Sequence, residues 1–257
     1  MRLGPVWIHP VGRWNAPGCV DRVAFMINPA RLHSDLSRLG RETAMFEATA
    51  ASLSEEELRA PSLCEGWTRA HVVAHLASNG RALVRLIDWA TTGQEQQLYT
   101  SREARDQEID DLAGLPREEL LTRLRESSAF FAEQSGRLSG ELAVESVDLH
   151  GKEIPVTSII ALRISEIVVH HHDLDTAWTI EEADPDSLLN ALEAAVRTMR
   201  AKDAPGMTLV TEERDEWVVG DGALRVESDR EGLLAWLARG DGGNVEADGP
   251  LPALPSW

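Results

Sequence analysis

From Asn28 to about Trp178 the apolar residues of this 257-residue chain recur mostly at helical spacing; after Asp184-Pro185 that pattern is followed by alternation. A period of 3.6 residues asks for helices packed on one another, whereas a period of 2 asks for a sheet. The switch restricts the chain to an α+β class in which the two kinds of element are largely segregated.

The helical part is punctuated clearly. Asn28-Pro29 is a cap and first-turn pair, and Leu32, Leu36, Leu39, Ala44, Phe46 and Ala50 then recur up to about Ala51. SLSEEELRA leads to Pro61, SLCEGW forms a turn, and Thr68 caps a second helix that stops at Gly93. Ser101 starts another helical stretch, which Leu115-Pro116 breaks, and REELLTRLRESSAFFAEQSGRL is a long helix. VDLHGKEIPV is a short extended excursion, and Pro155 and Thr157 open a further helix to about Trp178. Four long helices with mostly short links predict a bundle spanning 27–182. In 183–257, the helix DSLLNALEAAVRTM precedes MTLVT, EWVVGDG and ALRVES, with a hairpin-like turn expected at Gly220-Asp221-Gly222. The helix DREGLLAWLARG and a proline-rich tail complete a small α/β domain.

Composition removes several function classes. Acidic residues outnumber basic ones 43 to 25, and a formal charge of −18 opposes nucleic-acid binding. No apolar stretch approaches the roughly 18 residues of a membrane span. Cys19 and Cys64 are too few for a disulfide framework, and the Pro- and Gly-containing start lacks the apolar run of a signal peptide. The expectation is a cytoplasmic protein with a disordered extension over residues 1–26, Met26 standing as an alternative start.

The chemistry is concentrated in RISEIVVHHHDLD, residues 163–175. At about 100° per residue, Glu166 and His170 share one helix face, extended by Arg163 and Asp173, while His171 falls on the stripe of Ile164, Ile167, Leu174 and Trp178. His172 points a third way, so the consecutive histidines are not one unit. An E-x-x-x-H pair suits a zinc-like ion; equally, Arg163–Glu166 and His170–Asp173 suit solvated surface pairs. On the second helix His71, His75 and Asn79 share a face, and His75, bordered by Val72, Leu76 and Leu83, points inward. A lone inward histidine is usually a satisfied core residue, but two bundle helices each presenting inward ligands is how bundle metal sites are built.

SLCEGWTRAHVVAHLASN, LIDWATTGQEQQLYTSREARDQEI and RISEIVVHHHDLD together resemble the mycothiol-dependent maleylpyruvate isomerase family of the DinB-like metal-binding superfamily, from about residue 30 to the C-terminus. The resemblance implies a DinB-like four-helix bundle followed by an α/β domain like that of sterol-carrier proteins. It implies a divalent metal, zinc, held by His75, Glu166 and His170, and mycothiol as the thiol cofactor. Arg105, of the E-A-R motif, and Arg239, at the end of the last helix, are implied in gripping substrate carboxylates or the thiol's polar groups; Arg239 also reads as a simple helix-end charge. Asn79 is assigned with Arg105 to cofactor binding, and Asp173 either orients a ligand imidazole or faces solvent. His71 is read as structural, Cys64 as a small turn residue and His171 as a partly buried histidine.

The implied reaction is isomerisation of maleylpyruvate to fumarylpyruvate: thiolate addition, bond rotation and elimination. The partners are thus a small thiol and a small dicarboxylate. Two other readings stand beside it: a mycothiol S-transferase using the same site, and a non-catalytic metal-binding helical protein.

Overall fold

The computed structural model describes residues 26–149 and 151–255. The expected extension at 1–26 lies, apart from Met26, outside the described residues. The chain folds as an α+β protein in which a helical body precedes a small sheet.

The body is built from α1 (Pro29–Ser52), α2 (Glu55–Arg59), α3 (Arg69–Thr92), α4 (Arg102–Ala113), α5 (Arg117–Ser135) and α6 (Ile159–Asp173). Asn28 caps α1, its Oδ1 accepting from the Ala30 and Arg31 amides at 2.9 and 3.4 Å, with Pro29 in the first turn. At α3 the cap is unusual. His71 Nδ1 accepts from the Thr68 amide at 3.2 Å, taking the place that a glutamate fills in a capping box. Gly93 ends α3 with φ +74°, a left-handed geometry that glycine adopts without penalty.

α3 packs against α4, α5 and α6, which explains why most of its residues are buried on every side. Its core partners include Phe46, Phe131, Leu120, Leu124, Ile164 and Ile167. Between α5 and α6 the strands β1 (Ser146–Leu149) and β2 (Lys152–Pro155) form an antiparallel hairpin, turning at Gly151 with φ +80°. α6 ends at Asp173 rather than near Trp178, because the backbone leaves the helix at Leu174 and takes φ +49° at Asp175.

The last part contains α7 (Pro185–Ala201), β3 (Met207–Thr211), β4 (Glu216–Val219), β5 (Leu224–Ser228), α8 (Arg230–Arg239) and β6 (Glu246–Ala247). The sheet order is β4-β3-β5-β6, with β3 antiparallel to β4 but parallel to β5. This corrects the reading of Gly220-Asp221-Gly222 as a hairpin. β4 and β5 are not neighbours; the segment carries the chain across the end of β3, and the actual hairpin joins β3 to β4. The crossing is tight because a Cβ on Gly206 would fall 1.6 Å from Asp221 Oδ1. Glycine is what lets the connection pass there. α7 lies against both α6 and α8 and so ties the two parts together. Among the described residues no helix is long and apolar enough to cross a membrane.

Candidate metal centre

α3 and α6 cross so that His75, Glu166 and His170 meet. His75 Nε2 lies 2.8 Å from Glu166 Oε2, and His170 Nε2 lies 3.6 Å from the same oxygen. The two imidazole rings sit edge to face with centroids 4.5 Å apart. One donor atom from each of the three residues falls within 4.8 Å of the others. Both histidines are buried, and Glu166 keeps partial access to a cavity.

The proton positions follow from the neighbours. Arg105 Nη2 lies 3.3 Å from His75 Nδ1 and can only donate, so Nδ1 accepts and Nε2 faces Glu166. His170 Nδ1 lies 2.7 Å from Asp173 Oδ2, and a carboxylate only accepts, so Nδ1 carries a proton and Nε2 is the nitrogen that faces the triad. Burial, reinforced by the charge of neighbouring His170, pushes His75 down to about 4. It is therefore neutral near pH 7. Burial works to raise Glu166, but the His75 hydrogen bond, with the positive neighbours His170 and Arg163, outweighs it and holds the carboxyl well below its ordinary range.

Two imidazole nitrogens and one carboxylate oxygen converge here, the donor types and number that zinc takes when a further position stays available to a ligand; a bound ion would replace the proton that His75 Nε2 donates to Glu166. The imidazole–carboxylate contact behind His170 is the usual means of fixing a ligand's ring orientation. The residues present fit the metal.

A second set of metal-ligating residues, Cys64, His170 and Asp173, lies on the other side of His170. It does not fit. Asp173 is completely buried and accepts from Arg239 through both oxygens, and Cys64 Sγ donates to its Oδ2 at 3.2 Å. Burial and the Asp173 charge push the Cys64 thiol up to about 12, so it stays protonated. Burial works to raise Asp173, but the Arg239 and His170 hydrogen bonds prevail and hold it well below the usual carboxylate range.

The triad opens into a cavity of about 930 Å³, whose lining includes Asn79, Tyr99 and Arg105 and which reaches Arg197 on α7 and Leu149 on β1. Arg105 reaches it from α4 and stands 6.0 Å from the ring centroids of Trp67 and Tyr99. Trp67 also covers the triad, its ring 5.7 Å from that of His75 and 6.5 Å from that of His170.

Arg239 is placed differently from the expectation of a substrate grip. It is absent from the cavity lining, and its guanidinium is taken up by Asp173, Cys64 Sγ and the Ala238 carbonyl. The C-terminal end of α8 points it at the back of His170 rather than into the cavity. Asp173 faces His170 and Arg239, not solvent. His71 closes the start of α3, while His171 stacks on Trp178 at 3.8 Å and bonds to Thr49 Oγ1 at 2.7 Å, both outside the triad. Sequence reading missed Trp67 and Tyr99 beside the triad, and left open that Arg163 forms a solvated surface pair with Glu166, an alternative that its burial removes. Its signal was the shared face with Glu166.

No curated protein matches the chain. Two solved structures do: the crystal structure of the mycothiol-dependent maleylpyruvate isomerase and that of a histidine-to-alanine mutant of it. Each is 27% identical, with a TM-score of 0.78, over 88% of this chain and 97% of the other. The fold is therefore that of an enzyme. Residues 39–175, which contain all three triad residues, match the family described as the mycothiol maleylpyruvate isomerase N-terminal domain, and the chain belongs to that family.

Proposed function

We propose that the protein is a divalent-metal- and mycothiol-dependent isomerase that converts maleylpyruvate to fumarylpyruvate. The observation that carries this is the meeting of His75 Nε2, Glu166 Oε2 and His170 Nε2 at the wall of a cavity that also receives Arg105. His75, Glu166 and His170 would hold the ion, zinc by the softness and number of the donors. When bound, such an ion supplies Lewis acidity that makes a thiol available as thiolate near pH 7.

The chain's own residues do the rest. His75 stays neutral near pH 7, and its Nε2, which donates to Glu166 in this structure, would exchange that proton for the ion. Asp173 fixes the His170 tautomer, and Arg239 keeps Asp173 ionised and in place. Arg105 offers a planar cation to a substrate carboxylate, which a chain of charge −18 needs locally. Trp67 packs beside both histidine rings. In the reaction the thiolate sulfur, its proton already released to solvent, bonds to one alkene carbon, and the displaced electron pair is delocalised onto the conjugated carbonyl oxygen. The remaining C–C single bond rotates, and the reverse electron flow expels the sulfur. Nothing is consumed.

The test is an assay of maleylpyruvate conversion with and without mycothiol on metal-analysed protein. Conversion should require the thiol and return it intact; a stable thiol conjugate would instead show transfer. His75→Ala should lose bound metal and turnover together, and a variant retaining both in full ends the proposal.

A further inference from the structure

Arg163 is among the largest fully buried side chains in the protein, although it sits on the same helix face as Glu166 and one turn before it. A guanidinium withdrawn from water is costly unless its donors are used. Here Nη1 donates to Asn79 Oδ1 at 2.8 Å, across the α3–α6 contact. The path is kept open by Gly80, where an added Cβ would fall 2.6 Å from Ser127 Oγ and 3.3 Å from Arg163 Nη2.

The consequence concerns Asn79. Arginine has only donors, so the carboxamide must turn its oxygen toward Arg163 and its NH2 away from it. Asn79 lines the cavity one helical turn after His75, and that NH2 has no acceptor among the described residues. Arg105 contacts His75 from another element, α4. The two residues therefore offer separate N–H groups beside the triad.

We infer that Asn79 presents its amide N–H groups to a carboxylate oxygen of the bound dicarboxylate, and that buried Arg163 is the positioning residue that holds the amide in this orientation. The inference rests on the proposed function for its substrate class. It assigns Asn79 to the diacid rather than to the thiol cofactor, because its position next to His75 is within reach of the reacting end of the substrate.

The probe is maleate, a cis dicarboxylate without the reactive ketone, titrated calorimetrically into the zinc-loaded protein. Wild type should bind it. Asn79→Asp keeps an acceptor for Arg163 but replaces the donor by a charge, and should weaken binding at least about tenfold with zinc content unchanged. Arg163→Met should weaken it similarly by freeing the amide to turn, and Arg163→Lys should recover part of the loss. Maleate binding that is absent in wild type, or unchanged in Asn79→Asp, overturns the inference. If maleate binds in an Asn79-dependent way while maleylpyruvate is not isomerised, the proposed function falls and the role of Asn79 stands.

Discussion

His170 has two sides, and each carries residues that ligate metals elsewhere. On the Nε2 side stand His75 and Glu166, next to a cavity; on the Nδ1 side stand Asp173 and Cys64, against Arg239. Residue type alone does not separate them. What separates them is how the acceptors are already used. Behind His170 the acidic charge of Asp173 is met by Arg239 and the cysteine keeps its proton, whereas in front, among the described residues, no arginine bonds to Glu166 and both imidazole Nε2 atoms lie near its Oε2. A ligand set is recognised by converging ligand atoms beside a cavity whose charge no arginine has already taken up.

Removing the front carboxylate should have the largest effect. Glu166→Gln preserves shape but deletes the anionic donor. Metal retention and turnover should fall beyond the ~100-fold loss that marks the upper range for residues behind a ligand, as read by metal analysis and initial rates. A change within that range would make Glu166 a supporting residue. Next comes Asp173→Asn, which keeps the outline and leaves Arg239 without its ion partner. The expected result is a roughly 10- to 100-fold loss of metal affinity with a drop in stability of about 3 kcal/mol in denaturant titration. Equal losses in Asp173→Asn and Glu166→Gln would erase the contrast between the two sides. Cys64→Ala should change stability by about 1 kcal/mol or less and leave metal content intact. Loss of metal in that variant would make the rear side a ligand set after all.

The smallest effect is expected far from the triad. Burial, with Glu181 as an acidic neighbour, pushes the Glu231 carboxyl up to about 7 from an ordinary value of 4.5. A folded-state pKa above the unfolded one gives a stabilising contribution that is complete below about 4.5 and disappears as pH rises through about 7. Glu231→Gln should therefore remove that slope: melting temperature rises slightly at pH 8 relative to wild type and is least favoured at pH 4. Metal content should be the same at every pH tested where wild type keeps it.

The helices and the change to a sheet were legible where local signals punctuate them, as with the Asn28-Pro29 cap of α1 and the Gly93 stop of α3. The β4–β5 crossing was not. Gly220-Asp221-Gly222 has the local chemistry of a hairpin, and only the contact with Gly206, distant in sequence, makes it a crossing. The triad was legible in two facing stripes together with a family resemblance. Arg239 illustrates the limit: sequence showed a cation at a helix end, but its direction depends on how α8 meets α6 through α7, which no local pattern encodes. For Arg163 the sequence left two readings open, since a charged residue near a glutamate can form an exposed pair until a neighbouring helix with a glycine covers it.

The contact between Arg239 and Asp173 also sets a limit on engineering. The helical body holds every donor of the triad, so it invites use as a stand-alone metal scaffold. Yet the clamp on its last histidine arrives from α8, near the far end of the chain. A fragment cut after α6 would keep the complete donor list and lose the brace that aims one of them.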